Sequence, residues 1–206
     1  MVKSITEKCS AKINIAIDVL GKYPNDYHEV RMIMTQVGIF DVITISLKDE
    51  KGIEIAGSDI NMPVDESNLA WKAANEFFKA IKFDGGCDIY IEKHIPMGAG
   101  MAGGSSDAAA VLVGMNRLFG LGLGKKELMR RGVKLGADIP YCLMRGTALS
   151  EGIGERLSPL PPMPQCQVLI AKPGISVSTK VVYESLDAMK LAPSDHPDID
   201  GMIDAI

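Results

Sequence analysis

The alternation of apolar and polar residues predicts strands near the start of the 206-residue chain and a mixture of strands and helices after them. Residues 9–19 alternate with a period of two, which is typical of a strand with one buried face. In residues 68–81, apolar side chains recur every three to four positions, as in a helix with one buried face. By these criteria we predict β-rich stretches within residues 29–47, strands at 53–56, 87–91, 147–149 and 167–171, and helices at 108–119, 125–135 and 181–191.

The order of these elements predicts the fold class. Because β-rich stretches come first and helices are interspersed only later, a two-layer α+β domain is favoured over a strictly alternating parallel α/β fold. Four prolines between residues 159 and 164 mark a boundary or a crossover in the chain.

Composition and charge narrow the possible partners. A content of 47% hydrophobic and 23% charged residues is that of an ordinary soluble globular protein. A net charge of -4 gives no reason to expect nucleic acid or an anionic membrane as a partner. The chain has neither an apolar run of about 20 residues nor the apolar core of a signal peptide at its start. Four widely spaced cysteines without a Cys-x-x-Cys pair predict reduced thiols in a cytoplasmic protein.

A glycine-rich loop lies between the predicted strand at residues 87–91 and the predicted helix at 108–119. Its residues are Pro96, Met97, Gly98, Ala99, Gly100, Met101, Ala102, Gly103, Gly104, Ser105 and Ser106. Glycines let backbone N–H groups approach a ligand closely, and the N-terminus of a helix favours anions. The loop therefore indicates a phosphate-binding site.

Two common phosphate-binding motifs do not fit this loop. A P-loop needs Ser or Thr after its Gly-Lys pair, whereas Lys22 and Lys125 are followed by tyrosine and lysine. The dinucleotide pattern Gly-x-Gly-x-x-Gly is present from Gly98 to Gly103. However, that fingerprint requires an acidic residue at the end of a second strand about 20 residues further on. Residues 119–124 contain neither a strand pattern nor a carboxylate.

The sequence Pro-x-Gly-x-Gly-x-x-Gly-Gly-Ser-Ser resembles the ATP loop of the GHMP kinases, which include galactokinase, homoserine kinase and mevalonate kinase. Four further segments resemble one branch of that superfamily: Ser10-Ala-Lys-Ile-Asn14, Asp26-Tyr-His28, Ser67-Asn-Leu69 and Leu135-Gly-Ala-Asp-Ile-Pro140. That branch phosphorylates 4-diphosphocytidyl-2-C-methyl-D-erythritol in the non-mevalonate isoprenoid pathway. The resemblance runs in order from about Ser10 to Tyr183.

This resemblance implies a GHMP-kinase fold with a two-layer, ribosomal-protein-S5-like N-terminal domain. We expect residues 1–158 to form the ATP-binding domain and residues 159–206 to begin a second α+β domain. Full members of the superfamily carry a later glycine-rich segment, and nothing like it occurs between residues 146 and 206. We therefore expect the second domain to be incomplete, and the chain to be a monomer or a weak homodimer.

The resemblance also implies the catalytic residues, Asp138 and Lys12. Transfer of a phosphoryl group to an alcohol needs a group that accepts the hydroxyl proton, and Asp138 has the matching position. Lys12 would offset the negative charge that develops on the transferring phosphate. The alternative interpretations are a helix N-cap for Asp138 and a solvated strand lysine for Lys12.

ATP and Mg²⁺ are the cofactors that the resemblance implies. The glycine loop and Asn68 would contact ATP, and Ser105 or Ser106 would contact the metal. For Asn68 and both serines the alternative interpretation is helix capping. Asp107 needs no role beyond its favourable place near a helix N-terminus.

The substrate contacts implied by the resemblance are Asn14, Tyr27, His28 and Tyr183. A nucleobase needs an aromatic face and a hydrogen-bonding edge, which Tyr27 and His28 supply, while Tyr183 would cover the other face. Asn14 would donate or accept a hydrogen bond to the substrate. Two alternatives stay open: another GHMP small-molecule kinase, of the homoserine or mevalonate type, and a nucleotide-binding module without catalysis. The expected partner is a small molecule, with no nucleic acid and no membrane.

Overall fold

The computed structural model describes residues 3–174, 178–189 and 191–206. The strands are β1 (Ser4–Lys22), β2 (His28–Lys48), β3 (Gly52–Gly57), β4 (Gly86–Glu92), β5 (Ala148–Gly152) and β6 (Arg156–Pro159). The α-helices are α1 (Leu69–Ile81), α2 (Gly103–Leu118), α3 (Lys125–Gly132), α4 (Ile139–Met144), α5 (Thr179–Met189) and α6 (Ile199–Asp204). The chain forms two compact units. Unit 1 holds Met1–Ala11, Val37–Pro96 and Ala102–Met144, and unit 2 holds Lys12–Gln36, Met97–Met101 and Arg145–Ile206.

The sheet of unit 1 is built on the second half of β2. Strand β4 pairs with it in antiparallel register, from Val42 opposite Glu92 to Lys48 opposite Gly86. Strand β3 adds to β4 in parallel. Strand β1 pairs with β2 as well, where the hydroxyl oxygens of Thr6 and Thr44 lie 3.1 Å apart.

Helices cover one face of this sheet. Strands β2 and β4 each turn alternate isoleucines into the core, and these are fully buried: Ile43, Ile45, Ile89 and Ile91. Helix α2 approaches β2 closely at Gly114, where an added Cβ would lie 2.7 Å from Ile45 Cδ1. Helix α1 packs against α2 and buries Phe77 beside it. Unit 1 is therefore a layer of helices on a mixed sheet, which confirms the predicted two-layer α+β class.

Helix α2 begins earlier than its apolar pattern predicts, at Gly103 rather than at residue 108. The Gly-Gly-Ser-Ser segment has no apolar periodicity, so the sequence pattern does not reveal that it is helical. The first helical hydrogen bond nevertheless joins Ser106 N to Ala102 O at 2.8 Å. The second half of the glycine loop is consequently the first turn of α2.

Unit 2 contains a second set of antiparallel strands. The first half of β2 pairs with β5, from Val30 opposite Gly152 to Met34 opposite Ala148. Strand β6 then returns alongside β5 as a hairpin. Met34 and Ala148 are fully buried, and they form part of the core of this unit.

The predicted strand at residues 167–171 is wrong, because no β structure forms there. A strand requires a neighbour to pair with, and the described residues offer this segment none. Leu169 is 96% exposed as a result. In the same described ranges, no helix has both the length and the apolar character that crossing a bilayer would require.

Candidate active site

The glycine loop turns repeatedly through left-handed backbone conformations. Gly98 and Gly100 have φ angles of 62° and 69°, and Ala102 has a φ of 56°. An alanine in this region is strained by about 1 kcal/mol, so the surrounding structure must hold it there. Ala102 is also the N-cap of α2, and its side chain makes no capping hydrogen bond. The N-terminus of this 16-residue helix thus lacks a side-chain cap, an arrangement that can bind an anion.

The two serines of the loop lie in the first turn of α2, not before it. Ser106 is fully buried, its Oγ donates to Ser10 O at 2.9 Å, and it lies 3.3 Å from Cys142 Sγ. Ser105 is half-buried. Because α2 starts at Gly103, the capping interpretation is wrong for both serines.

Asn68 caps α1. Its Oδ1 accepts a hydrogen bond from Ala70 N at 2.9 Å, and its Nδ2 donates to Pro63 O at 2.7 Å. The capping interpretation is therefore confirmed. The contact between Asn68 and ATP remains a prediction.

Lys12 lies in unit 2 and is a buried lysine, with only 6% of its surface exposed. Its Nζ donates to Asn14 Oδ1 at 3.2 Å, and its backbone N donates to Met101 O at 3.1 Å. The second bond ties β1 to the glycine loop. Asn14 Nδ2 in turn lies 3.6 Å from Met32 Sδ. The solvated interpretation of Lys12 is wrong, since a solvated strand lysine would be exposed.

Asp138 lies in unit 1, directly before α4. Its backbone carbonyl accepts a hydrogen bond from Cys142 N at 3.1 Å, so Asp138 occupies the N-cap position of that helix. Helix α4 is held close to α3, because an added Cβ at Gly132 would lie 2.6 Å from Ile139 Cγ2. Asp138 itself is half-buried. A cap position fixes its backbone, which is compatible with a catalytic role for its side chain.

Tyr27 and His28 follow a tight turn between β1 and β2. Tyr23 N donates to Tyr27 O at 2.7 Å, and Asp26 adopts a left-handed φ of 67° to close the turn. Tyr27 is 56% exposed, which leaves its ring accessible. Both residues belong to unit 2.

Helix α5 covers His28. The Tyr183 ring stacks on the His28 ring with centroids 4.4 Å apart and an interplanar angle of 12°. His28 Nε2 also lies 2.8 Å from Asp187 Oδ1. A base inserted between two rings needs about 7 Å, twice the contact distance of carbon atoms, so these two rings leave no slot for one. The structure therefore brings two predicted substrate residues together as a closed pair.

Acidic residues near the end of the chain pair with cationic groups of the first two strands. Asp187 also lies 3.5 Å from Lys22 Nζ, and its hydrogen bond with His28 lowers the pKa of its carboxyl. Asp200 forms a bidentate contact with Arg31, whose guanidinium lowers the pKa of that carboxyl. Sequence reasoning missed Asp187. It follows Tyr183 by four positions in a predicted helix, a spacing that places both on one face.

Comparison with known proteins identifies the class of enzyme. The model of the GHMP kinases N terminal domain matches residues 68–146, which contain the glycine loop and Asp138. A homoserine kinase of Cytophaga hutchinsonii has a similar structure, with a TM-score of 0.63 and 20% identity over 89% of this chain and 60% of that one. At that identity the likeness shows the fold alone.

Closer relatives identify the family. The 4-diphosphocytidyl-2-C-methyl-D-erythritol kinase of Lachnospira eligens is 53% identical over 205 residues, which cover 100% of this chain and 70% of the relative. The enzyme of the same name from Lachnoclostridium phytofermentans is 52% identical over 98% of this chain and 69% of the relative. A crystal structure of 4-(cytidine 5'-diphospho)-2C-methyl-D-erythritol kinase superposes with a TM-score of 0.75 and 28% identity over 98% of this chain and 70% of that one. The chain therefore belongs to the 4-diphosphocytidyl-2-C-methyl-D-erythritol kinase family, a family of kinases whose phosphoryl donor is ATP.

Proposed function

We propose that this chain transfers the γ-phosphoryl group of ATP to the 2-hydroxyl of 4-diphosphocytidyl-2-C-methyl-D-erythritol. The observation that carries the proposal is the 53% identity with a relative of that name over the whole chain. The neighbouring Tyr27 and His28 favour this acceptor over homoserine or a mevalonate derivative, because those acceptors carry no base to stack.

The nucleotide would bind at the glycine loop and the start of α2. The left-handed turns at Gly98 and Gly100 direct backbone groups toward a ligand, and the uncapped N-terminus of α2 stabilises its negative charge. Mg²⁺ held there would offset part of the negative charge of the phosphates. Ser105 is the better protein ligand for it, because the hydroxyl of Ser106 is buried and already donates to Ser10 O.

Asp138 and Lys12 would carry the chemistry. As the substrate oxygen forms its bond to the γ-phosphorus, the bond between that phosphorus and the bridging oxygen of ADP breaks. Asp138 takes the hydroxyl proton, and the ammonium of Lys12 offsets the negative charge of the transition state. No covalent phosphoenzyme is needed. Asn14, which accepts from Lys12 Nζ at 3.2 Å, would hold the ammonium in place and contact the substrate.

Recognition of the cytosine base would require a change around His28. Tyr27 is exposed and offers one aromatic face. Tyr183 would leave His28 and cover the other face of the base, and His28 would exchange its Asp187 partner for the base edge. We also propose that the protein is cytoplasmic, as a monomer or weak homodimer, and that residues 1–158 form the ATP-binding domain while residues 159–206 begin a second domain.

The test is an ADP-release assay with purified chain, MgATP and the proposed acceptor. Asp138→Asn should lower kcat by about 10²–10⁴-fold, because the proton acceptor is lost, and should leave the Kd for MgATP unchanged. Asp84→Asn, an exposed carboxylate paired with Lys51, is the matched control and should keep full activity. Homoserine and mevalonate serve as alternative acceptors.

Two outcomes would count against this function. The first is ADP release that needs no acceptor and is unaffected by Asp138→Asn. The second is faster turnover with homoserine or mevalonate than with the cytidylyl substrate. Thermal melts with and without MgATP report separately on nucleotide binding, because a ligand that binds only the folded chain raises its Tm.

A further inference from the structure

A buried group of three charged side chains lies in unit 1 next to both ends of the glycine loop. Lys93 Nζ lies between Asp41 and Asp107, in contact with Asp41 Oδ2 and 2.8 Å from Asp107 Oδ2. Their side chains are 5%, 0% and 3% exposed, respectively. We call these three residues the clamp. None of them belongs to the catalytic or binding residues proposed above.

Asp41 holds the backbone that leads into the loop. Its Oδ1 accepts hydrogen bonds from His94 N at 2.5 Å and from Ile95 N at 2.8 Å. Its other oxygen accepts from the Lys93 ammonium. A single carboxylate of β2 therefore fixes three consecutive residues, and the loop begins at the next residue, Pro96.

Lys93 joins this backbone to the other end of the loop. Asp107, its second partner, directly follows Ser106 in the first turns of α2. The start of α2 also lies against the same segment, because an added Cβ at Gly103 would lie 3.2 Å from Ile95 Cγ2 and 3.3 Å from Lys93 Nζ. Lys93, just before the loop, is thus bonded through its ammonium to Asp107, just after the loop.

The cation of this site is the lysine itself. Cys9, Asp41 and Asp107 have ligand atoms within 4.8 Å of one another, a spacing that suits a metal ion. The Lys93 ammonium already contacts both carboxylates. Burial and the neighbouring Asp107 raise the pKa of the Cys9 thiol, so it stays protonated and lies 3.5 Å from Asp107 Oδ1 as a donor. A neutral thiol is a poor metal ligand.

We propose that the clamp of Asp41, Lys93 and Asp107 positions the glycine loop and thereby sets the affinity for MgATP. Its members are positioning residues, since they act through the loop. Left-handed conformations such as that of Ala102 persist only where surrounding contacts hold them, and the clamp holds both ends of this segment. The part that concerns affinity rests on the proposed function, whereas the part that concerns the loop does not.

The experiment compares Asp107→Ala with a matched control in the same unit. Asp107→Ala removes the link across the loop and leaves Lys93 paired with Asp41, so the variant keeps a neutral ion pair and should fold. The control is Asp88→Ala: Asp88 lies 2.6 Å from Lys48, a lysine that also contacts two carboxylates, both of which are exposed. Amide hydrogen exchange is measured without nucleotide, and the Kd values for MgATP and for the cytidylyl substrate are measured by titration.

Asp107→Ala should speed amide exchange in residues 96–106 by about tenfold or more and leave β4 protected. It should weaken MgATP binding by about tenfold, equivalent to about 1.4 kcal/mol, and change the substrate Kd less than twofold. Asp88→Ala should change none of these. If Asp107→Ala does not fold, Asp107→Asn replaces it and should show the same localised change at a smaller size.

Unchanged exchange in residues 96–106 of the folded variant would overturn the proposal, as would faster exchange spread evenly over unit 1. Unchanged affinity for MgATP with a loosened loop would overturn the part that concerns affinity. The proposed function fails differently: the parent chain would then not transfer phosphate to the cytidylyl substrate, while its loop exchange would still test the clamp.

Discussion

Two groups of polar and ionic contacts, one in each unit, differ in how deeply their carboxylates are buried. In unit 1, the clamp is buried, with side-chain exposures of 5% or less. In unit 2, His28 and Arg31, 8% and 26% exposed, contact the carboxylates of Asp187 and Asp200, which are 37% and 75% exposed. The distances are similar in both units. Burial is therefore what separates them.

The difference in burial indicates which contacts can be replaced by contacts with a ligand. A buried charge that loses its partner is left without solvation, so the clamp is strongly coupled to folding. An exposed charge regains water when its partner leaves, and such pairs contribute little to stability. The exposed carboxylates of Asp187 and Asp200 can therefore give up their partners to a ligand, while those around Lys93 must stay in place.

We expect the largest effect on stability from Lys93→Met, which tests whether burial distinguishes the two groups of contacts. The variant leaves two carboxylates buried without their cation, which should lower the free energy of unfolding by about 3–5 kcal/mol. Lys48→Met is the matched control, because the Lys48 carboxylate partners are 79% and 57% exposed, and it should cost far less. Denaturant unfolding measures both. An equal loss in the two variants would show that burial is not the deciding factor.

The next largest effect is the pH dependence that Asp107 gives to the free energy of unfolding. One ammonium faces two carboxylates in the clamp, and burial raises the pKa of Asp107 to about 7, with Asp41 adding to the shift and Lys93 opposing it. The ordinary value is 3.8. Between these values the folded chain keeps a proton that the unfolded chain has released. The stabilising contribution of Asp107 to the free energy of unfolding is thus complete below about pH 4 and is lost as the pH rises through 7.

Asp107→Asn tests this direction, because it cannot ionise. From pH 5 to pH 7.5, the free energy of unfolding of the parent chain should fall relative to the variant by about 2 kcal/mol. Glu127→Gln is the control, since Arg130 and Arg131 hold the Glu127 pKa at about 2, outside this range. Its difference from the parent should be the same at both pH values. A parent chain that gains stability over this range relative to Asp107→Asn would contradict the assignment.

Most of the fold of unit 1 could be predicted from local patterns. Strand β4 and helix α1 follow their apolar periods to within a residue or two of the predicted bounds. Local patterns fail where pairing or packing decides the structure. Residues 167–171 have the composition of a strand but no pairing partner in the described part of the chain, and the first turn of α2 carries no apolar side chain to reveal it.

The site was predictable where a motif is contiguous. The glycine loop and Asn68 at the cap of α1 lie where the sequence suggests. The clamp left no such signal, because Asp41, Lys93 and Asp107 are far apart in sequence and each is an ordinary charged residue until packing buries it. Sequence reasoning assigned Asp107 only to a helix N-terminus, whereas the structure bonds it to Lys93.

The smallest effect we expect is on the KM for the substrate, and it concerns the stacking of Tyr183 on His28 in unit 2. Tyr183→Ala removes the ring that now stacks on His28. If Tyr183 covers a face of the bound base, the KM for the cytidylyl substrate should rise about 2- to 10-fold, in line with the roughly 0.5–1.5 kcal/mol of an aromatic pair, and the KM for ATP should not change. Val182→Ala, an exposed neighbour on α5, is the control and should leave both values unchanged. A fall in the KM for the substrate would instead identify Tyr183 as a cover that the base displaces from His28. The exposed contacts of unit 2 would then compete with the substrate, while the buried clamp of unit 1 supports the nucleotide.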